Sequence, residues 1–173
     1  MSREMLPPTV ADSFEPSADT SRALRDALGR FATGVTVITC NSDQGPLGMT
    51  ANSFASVSLD PALVLWSPAK ASKRYNAFTD AEHFAIHVMT AEQANICNGF
   101  AKDGKAFDGY DWHTCSKGVP LIAHCLSRFE CTRTAVHDAG DHSIVVGQVT
   151  RVSTQAAGPL MFYSGKYGVF KEV

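Results

Sequence analysis

The chain has 173 residues, a length typical of one domain with its own hydrophobic core. Its apolar content of 45%, charged content of 18% and net charge of −2 are ordinary for a globular protein and give no electrostatic reason to expect a nucleic-acid partner. No apolar run approaches the ~20 residues that cross a bilayer, so we expect no membrane partner. The five cysteines form no C-x-x-C pair, which predicts free, buried thiols and a cytoplasmic location.

The N-terminal region is predicted to contain an arm and a helix. Residues 1–19 are rich in proline, serine and acidic residues and are interpreted as a mobile arm, so that residues 20–173 form the folded domain. A helix should begin near residues 19–21, which are good N-cap types, and end near residues 33–34. Three residues at helical spacing give this helix an apolar face: Leu24, Leu28 and Phe31.

Most of the later elements are predicted to be strands. Seven segments fit a strand, and the third should be buried on both faces: 35–40, 48–56, 62–66, 83–89, 123–137, 143–153 and 160–163. Short helices should follow Ser72 and the capping box at residues 90–93, the second with Ile96 and Phe100 on its inner face. Residues 101–119 are predicted to be a loop. Many strands, few helices and no βαβ rhythm favour a mainly β fold, a closed or partly closed antiparallel barrel.

The polar run at residues 48–53 is the first candidate binding segment. Gly48 would let the backbone approach a ligand closely. The side chains of Thr50, Asn52 and Ser53 add hydrogen-bond donors and acceptors, and a flat heterocycle such as a flavin ring needs a lining of this kind. A polar hairpin would have the same composition, and the residues alone leave both interpretations open.

The second candidate segment is Ala71-Ser72-Lys73-Arg74. It lies where a predicted strand ends and a helix begins, and the N–H groups at the start of a helix attract phosphate. The hydroxyl of Ser72 and the charge of Lys73 or Arg74 would add to such a site. The alternative is a capped surface helix with solvated basic residues.

The triplet Gly140-Asp141-His142 is the third candidate and lies between the two longest predicted strands. Histidine suits both proton transfer and ligand binding near neutral pH, and Asp141 would orient the ring of His142. The alternative is a hairpin turn with a polar cap. The six histidines show no spacing of zinc ligands, so no metal is predicted.

These segments occur in a fixed order with others along the chain, and the set resembles the short-chain flavin reductase family, the reductase components of two-component flavin-dependent monooxygenases. The resemblance extends from about Ala23 to Tyr167, and its sharpest part is the triplet at residues 140–142 followed by Gly147. The segments that carry it are 29–39, 48–61, 67–74, 129–131, 140–149 and 159–167. The resemblance implies an FMN-binding split β-barrel with Greek-key topology and a few peripheral helices.

The resemblance also implies a set of site residues. Residues 50–53 correspond to the family segment that meets the flavin ring and ribityl chain, and residues 71–74 to the segment over the flavin phosphate. His142 corresponds to a histidine on the nicotinamide side and is the catalytic candidate, although we favour a binding role because hydride transfer needs no protein acid. Phe100 is predicted either to cover the ligand or to pack in the core. The cofactor-binding set is Thr33, Thr50, Ala51, Asn52, Ser53, Ser67, Ala71, Ser72, Lys73, Arg74, Phe100, His142 and Tyr167.

The function implied by the resemblance is that of an NAD(P)H:flavin oxidoreductase. Such an enzyme transfers a hydride from NADH or NADPH to FMN or FAD and supplies the reduced flavin to a separate monooxygenase. No strand–GxGxxG–helix unit is present, so the nucleotide should bind in an open groove over the flavin. The family implies a homodimer with flavin sites near its interface. The bulk of Trp66 near the predicted pocket leaves the choice between FMN and FAD open.

Three other functions stay open on the same fold. One is a non-catalytic flavin-binding protein for electron transfer or sensing, although the presence of His142 and of Lys73-Arg74 argues mildly for the reductase. Another is a flavoenzyme that reduces a different acceptor, such as a ferric chelate or a quinone. The third, a pyridoxine-phosphate-oxidase-like activity, would need a basic site for the substrate phosphate that the sequence does not offer.

Overall fold

The computed structural model describes residues 13–172. Residues 1–12 of the predicted arm lie outside the described range, so the arm stays a prediction. The helices are α1 (Ser21–Leu28), α2 (Tyr75–Asp80) and α3 (Ala94–Lys102), and a 3-10 turn at Ala91–Gln93 leads into α3. The strands are β1 (Thr33–Gly34), β2 (Thr36–Ser42), β3 (Gly45–Ala51), β4 (Ala55–Leu59), β5 (Ala62–Trp66), β6 (His83–Val88), β7 (Trp112–Thr114), β8 (Pro120–Ile122), β9 (Ser127–Ala139), β10 (His142–Thr154), β11 (Leu160–Tyr163) and β12 (Lys166–Val169).

Antiparallel sheets dominate the described residues, so the predicted mainly β class is confirmed. The largest sheet has seven strands in the order β3-β2-β6-β9-β10-β5-β4. A three-stranded sheet has the order β1-β11-β12, and β7 pairs with β8. The small β1-β11-β12 sheet begins directly before β2, which places it at the start of β2, one strand in from the edge strand β3.

The seven-stranded sheet is strongly curled, because its two edge strands follow each other in sequence. Only residues 52–54 connect β3 to β4, so Ala51 and Ala55 lie at most about 14 Å apart. The edges of a flat sheet of seven strands would be about 29 Å apart. The sheet therefore rolls until its edges approach each other, although β3 and β4 do not pair within residues 13–172. The prediction of one strand over residues 48–56 is wrong, because this segment crosses from one edge of the sheet to the other.

Strand β2 has both faces buried, because the curled sheet lies on one side of it and α3 on the other. Ile38 and Cys40 belong to an apolar cluster formed by the strands of the large sheet and α2. Val35 and Val37, at alternate positions, belong to a second cluster with α3 and the β8 region. Each fully buried side chain of this size contributes roughly 1.5–3 kcal/mol. This double burial fixes the position of β3, the neighbour of β2.

The prediction that β5 is buried on both faces is wrong. Val64 and Trp66 are buried, whereas Leu63 and Leu65 keep some exposure, because β5 lies one strand from the edge of the sheet. Trp66 is fully buried and packs edge-to-face on Phe78, with ring centroids 5.3 Å apart. The bulk of Trp66 therefore fills the core and does not narrow a ligand cavity.

Helix α1 is shorter than predicted and its apolar face is not covered. It ends at Leu28, because residues 33–34 leave the helical path to pair with β11 as β1. None of its side chains is buried, and Leu28 and Phe31 are 68% and 79% exposed. Both residues belong to an apolar surface that the described chain leaves open to solvent.

Several local predictions are confirmed and several short strands were not predicted. The capping box of Thr90 and Gln93 is formed, and Ile96 and Phe100 are buried on the inner face of α3. Strands β1, β7, β8 and β12 have only two to four residues each. Strands this short are held by pairing with distant segments, so their own residues give little signal.

All five cysteines are free, as predicted. Four of them are buried, and burial raises the pKa of the thiols of Cys40, Cys97 and Cys131 to about 12. The prediction of burial is wrong for Cys115, which keeps some exposure because it lies in the loop between β7 and β8.

Candidate functional site

A small cavity of about 140 Å³ lies at the end of β3, beside the β1-β11-β12 sheet. We call it the ring cavity. Four predicted site residues line it together with Val35 and Phe162: Thr50, Ala51, Asn52 and Tyr167. The aromatic rings of Phe162 and Tyr167 pair across β11 and β12, with centroids 5.7 Å apart. An aromatic wall opposite a polar strand end is suited to a flat, partly polar ring.

Hydrogen bonds fix the strand end that lines the ring cavity. The hydroxyl of Thr50 donates to the carbonyl of Cys97 in α3 at 2.6 Å, and the hydroxyl of Thr36 donates to the carbonyl of Ala51 at 2.7 Å. Asn52 follows directly and is exposed, which leaves its amide accessible to a ligand. The backbone here is therefore held from both sides before any ligand binds.

Thr33 has an unsatisfied polar atom next to the ring cavity. Its hydroxyl oxygen is buried and has no hydrogen-bond partner among residues 13–172. Its cross-strand neighbour is Phe162, and Val35 follows it by two residues, so both neighbours line the cavity. A buried hydroxyl without a partner costs about 1–3 kcal/mol, which a polar ligand atom would recover.

Gly48 has a different role from the one predicted. A Cβ atom at this position would lie 2.4 Å from two ring carbons of Phe100. Phe100 is fully buried and packs edge-to-face on Phe107 at 4.8 Å, which supports the core alternative for Phe100. Gly48 is therefore needed for the close packing of α3 on β3, and the expectation that it admits a ligand is wrong.

The second predicted segment forms the loop between β5 and α2. The backbone N–H of Ser67 donates to the hydroxyl of Ser53 at 2.9 Å, which ties this loop to the residue after Asn52. Ser72 does not cap α2 directly: its hydroxyl accepts the N–H of Arg74, the N-cap residue, at 3.2 Å. The side chains of Ala71 and Lys73 are exposed.

Arg74 contacts protein atoms rather than solvent alone. Its guanidinium donates to three backbone carbonyls, those of Gly48 at 2.8 Å, Phe100 at 2.6 Å and Ala101 at 3.3 Å. Arg74 and Lys73 also line a larger, open cavity of about 660 Å³. Its other charged lining residues have both signs: Asp43, Asp80, Asp103, Lys102 and Lys105.

The turn at Gly140-Asp141-His142 packs against the same loop. Gly140 has a φ of +69°, which glycine adopts without strain. The carboxylate of Asp141 accepts the Nδ1–H of His142 at 2.7 Å, and this bond together with the nearby imidazole lowers the pKa of Asp141. The backbone of His142 pairs with Ala69, and the N–H of Lys70 donates to the carbonyl of Asp141 at 2.9 Å. The side chain of Lys70 forms an ion pair with Asp138.

The predicted site residues thus fall into two adjoining groups, and a comparison with a known protein family covers both. The sequence model of the flavin reductase like domain matches residues 28–171. The chain belongs to this family. The match covers both groups, from Thr33 to Tyr167, so the resemblance inferred from the motifs is confirmed.

Individual flavin reductases are similar over most of the chain. This chain is 55% identical over 157 residues to the FMN reductase (NADH) SmoA of Agrobacterium fabrum, and the match covers 91% of this chain and 90% of SmoA. It is 48% identical over 148 residues to the reductase component of a flavin-dependent trigonelline monooxygenase of Acinetobacter baylyi, covering 84% of this chain but only 48% of that one. The NADH:FAD oxidoreductase SgcE6 of Streptomyces globisporus superposes with a TM-score of 0.83 at 35% identity, covering 92% of this chain and 98% of that one.

Within this flavin reductase domain, one group of predicted residues lines the ring cavity and the other forms the loop and turn beside it. Ser53 joins the two groups, because it follows Asn52 and bonds Ser67. His142 does not line the ring cavity itself. Val35 and Phe162 were not among the predicted site residues, although both line the cavity; their place close to Thr33 and Tyr167 in the motif segments was the available signal.

Two features are absent from the described residues. Residues 13–172 contain no group of histidine, cysteine and acidic side chains arranged to hold a metal ion. No helix in the same part of the chain is long and apolar enough to cross a membrane.

Proposed function

We propose that this chain is an NAD(P)H-dependent flavin reductase that reduces FMN or FAD by hydride transfer and supplies the reduced flavin to a separate monooxygenase. The observation that carries the proposal is the ring cavity, where Thr50, Ala51, Asn52 and Tyr167 meet. The names of the relatives support it: SmoA is an FMN reductase (NADH), and the Acinetobacter protein is the reductase component of a monooxygenase. SgcE6 has also been solved with NAD and FAD fragments.

The residues of the ring cavity fit a flavin ring. A bound flavin supplies the hydride acceptor, and the chain supplies position and polarity around it. Phe162 and Tyr167 offer aromatic faces, while Asn52 and the unpaired hydroxyl of Thr33 offer hydrogen bonds to the polar edge of the ring. The buried threonine hydroxyl gains the partner that the protein does not give it.

The loop between β5 and α2 is proposed to hold the ribityl phosphate. Ser72 and Lys73 present a hydroxyl and an ammonium group on the outside of this loop, and Ala71 has a small side chain that lets a ligand approach. The hydrogen bonds between Ser53 and Ser67 fix the distance of the loop from the ring cavity.

His142 is proposed to bind the nicotinamide part of NAD(P)H. Asp141 accepts the Nδ1–H, so the ring is held in one orientation with Nε2 directed away from the carboxylate. In that tautomer Nε2 accepts a hydrogen bond, for example from a carboxamide N–H of the nucleotide. His142 therefore orients the hydride donor, and the chain needs no acid for the transfer itself.

We further propose that residues 20–173 form a split barrel that works as a homodimer in the cytoplasm. The curl of the large sheet, with only residues 52–54 between its edges, supports the split barrel. The ring cavity of one chain holds about 140 Å³, whereas ligand pockets usually hold about 300–1,000 Å³, which supports a second chain that completes the enclosure. The five free thiols suit a reducing compartment.

The first test is the oxidation of NADH and, separately, of NADPH by catalytic amounts of protein with excess FMN or FAD. We expect steady oxidation that depends on added flavin, and the comparison assigns both cofactor preferences. Flavin binding without nucleotide oxidation would overturn the reductase and leave the non-catalytic flavoprotein. Oxidation that requires a ferric chelate or a quinone would instead favour an enzyme with another acceptor.

A further inference from the structure

Arg74 has contacts that place it in the framework of the site rather than on the flavin phosphate. Both hydrogens of Nη1 point to carbonyls, those of Gly48 and Phe100, and Nη2 reaches a third at Ala101. We propose that Arg74 is a positioning residue: it clamps the end of α3 onto β3 and thereby fixes the part of β3 that lines the ring cavity. The inference rests on the proposed function for the location of the flavin ring.

The acceptors of Arg74 explain why a cation stands at this position. Phe100 and Ala101 lie in the last turn of α3, where backbone carbonyls have no partner within the helix. A positive charge at the C-terminal end of a helix also interacts favourably with the helix dipole. The half-buried guanidinium has its pKa lowered by burial, which the charge of Asp103 partly opposes, and it stays protonated.

The clamp acts on the strand that carries the ring-binding residues. Gly48 and Thr50 alternate along β3 and so share the face that α3 covers. The N–H of Gly48 donates to the carbonyl of Gly104 at 2.8 Å, and the carbonyl of Gly48 accepts from the guanidinium of Arg74. The hydroxyl of Thr50 donates to the carbonyl of Cys97. Loss of Arg74 removes its hydrogen bonds between Gly48 of β3 and the last turn of α3, two residues before the ring cavity begins.

A phosphate ligand and a clamp make different predictions for riboflavin, which has the ring and ribityl chain of FMN but no phosphate. An arginine that binds phosphate contributes to FMN affinity and not to riboflavin affinity. An arginine that positions the ring-binding strand contributes equally to both. A purely structural arginine lowers the melting temperature and leaves both affinities of the folded protein unchanged.

The experiment measures the Kd of FMN and of riboflavin by fluorescence quenching for the wild type, Arg74→Met and Arg74→Lys. For Arg74→Met we expect both affinities to fall about tenfold or more, with their ratio kept within about threefold, because charged hydrogen bonds are lost. Arg74→Lys keeps the charge but not the planar fork, so we expect it to restore little of either affinity. Amide hydrogen exchange without flavin should rise at residues 47–51 and 99–103 in both variants.

Lys102→Met is the matched control, because it removes a positive charge from the wall of the same large cavity, where Lys102 does not share the hydrogen bonds of Arg74 to Gly48, Phe100 and Ala101. We expect both of its affinities to stay within about twofold of the wild type. The proposal is overturned if Arg74→Met weakens FMN alone, if Arg74→Lys restores FMN binding, or if the control shows the same losses. Unchanged amide exchange at residues 47–51 also overturns it, and this readout needs no flavin, so it separates a failed clamp from a failed proposed function.

Discussion

His142 is held by Asp141 in a turn that adjoins the loop between β5 and α2. If it orients the nucleotide, His142→Ala should raise the KM for NADH by about 3–10-fold, the value of one hydrogen bond, and change flavin affinity far less. Steady-state kinetics with varied NADH, together with a flavin titration, measures both quantities.

The control for this variant is His137→Ala, which removes an exposed histidine from β9 in the same hairpin. Its KM for NADH should match that of the wild type. A loss of flavin affinity in His142→Ala with an unchanged KM for NADH would contradict the assigned role, and His142 would then be a flavin ligand.

His87 is a second histidine with a defined role, and this role is structural. It is fully buried; its Nδ1–H donates to the carbonyl of Val37 at 2.9 Å, and its Nε2 accepts the N–H of Ile122 at 3.0 Å. Both ring nitrogens are satisfied only in the neutral form. Burial lowers the pKa of His87 to about 3; the bond to Val37 opposes this shift and the charge of Arg128 adds to it.

The lowered pKa of His87 makes stability depend on pH. Below pH 6.5 the side chain of His87 binds a proton in the unfolded chain but not in the folded chain. As the pH is lowered, the free energy of unfolding should therefore fall by about 1.4 kcal/mol per pH unit until the folded pKa is reached. Urea unfolding at pH 7.0 and at about pH 5.5 measures this change before carboxylates titrate. His87→Gln keeps a donor and an acceptor, so it should fold, with a smaller loss over the same interval. Equal losses in both proteins would count against this account.

The packing of α3 on β3 depends on the absence of a side chain at Gly48. Gly48→Ala would place a methyl carbon 2.4 Å from two ring carbons of Phe100, so we expect a loss of about 1–3 kcal/mol in the free energy of unfolding. Because the three heavy atoms nearest to that carbon all belong to Phe100, a smaller side chain at position 100 should relieve the clash in part. Urea unfolding of Gly48→Ala, Phe100→Leu and the double variant forms a double-mutant cycle.

Gly158→Ala is the control for this cycle, because a Cβ atom at residue 158 meets nothing within 4 Å. It should change stability by less than about 0.5 kcal/mol. If the losses in free energy of unfolding are additive in the double variant, Phe100→Leu does not relieve the clash. The backbone of β3, and not the ring of Phe100, would then be the part that moves to make room for the methyl group.

The strands β2, β5, β6, β9, β10 and β11 could be predicted from the sequence, because apolar or β-branched residues recur along each of them. The break between β3 and β4 could not, since only the curl of the whole sheet places the two strands at opposite edges. The same limit applies to the site. The polar run at residues 48–53 pointed to Thr50 and Asn52. The contact between Gly48 and Phe100 could not be predicted, because the two residues are about 50 positions apart in sequence. The same holds for the carbonyl of Phe100 that Arg74 contacts, which lies 26 residues further along the chain.

The apolar surface beside the ring cavity is the feature of the whole molecule that the single chain leaves unexplained. It is formed by α1, the segment after it and the β11–β12 hairpin, and the backbone N–H of Ser164 ties these parts together by donating to Gly29 at 2.8 Å. Its large exposed residues are Leu28, Phe31, Tyr163, Val169 and Phe170. Exposed apolar side chains grouped on neighbouring elements are typical of an interaction site, and the β11–β12 hairpin that carries some of them also carries Phe162 and Tyr167 of the ring cavity.

We therefore expect the protein to sediment as a dimer and Phe31→Asp to shift it toward the monomer, because a buried charge without a partner opposes association. Flavin affinity should fall in parallel, since the ring cavity loses its second wall. Leu59→Asp is the matched control: Leu59 is 96% exposed on β4, which belongs to a different sheet from the β11–β12 hairpin, and its replacement should leave the dimer intact. Sedimentation velocity measures the association state of each variant, and a flavin titration measures its affinity. Dissociation by Leu59→Asp alone would move the interface to β4, and a wild-type monomer that binds flavin tightly would contradict the shared site.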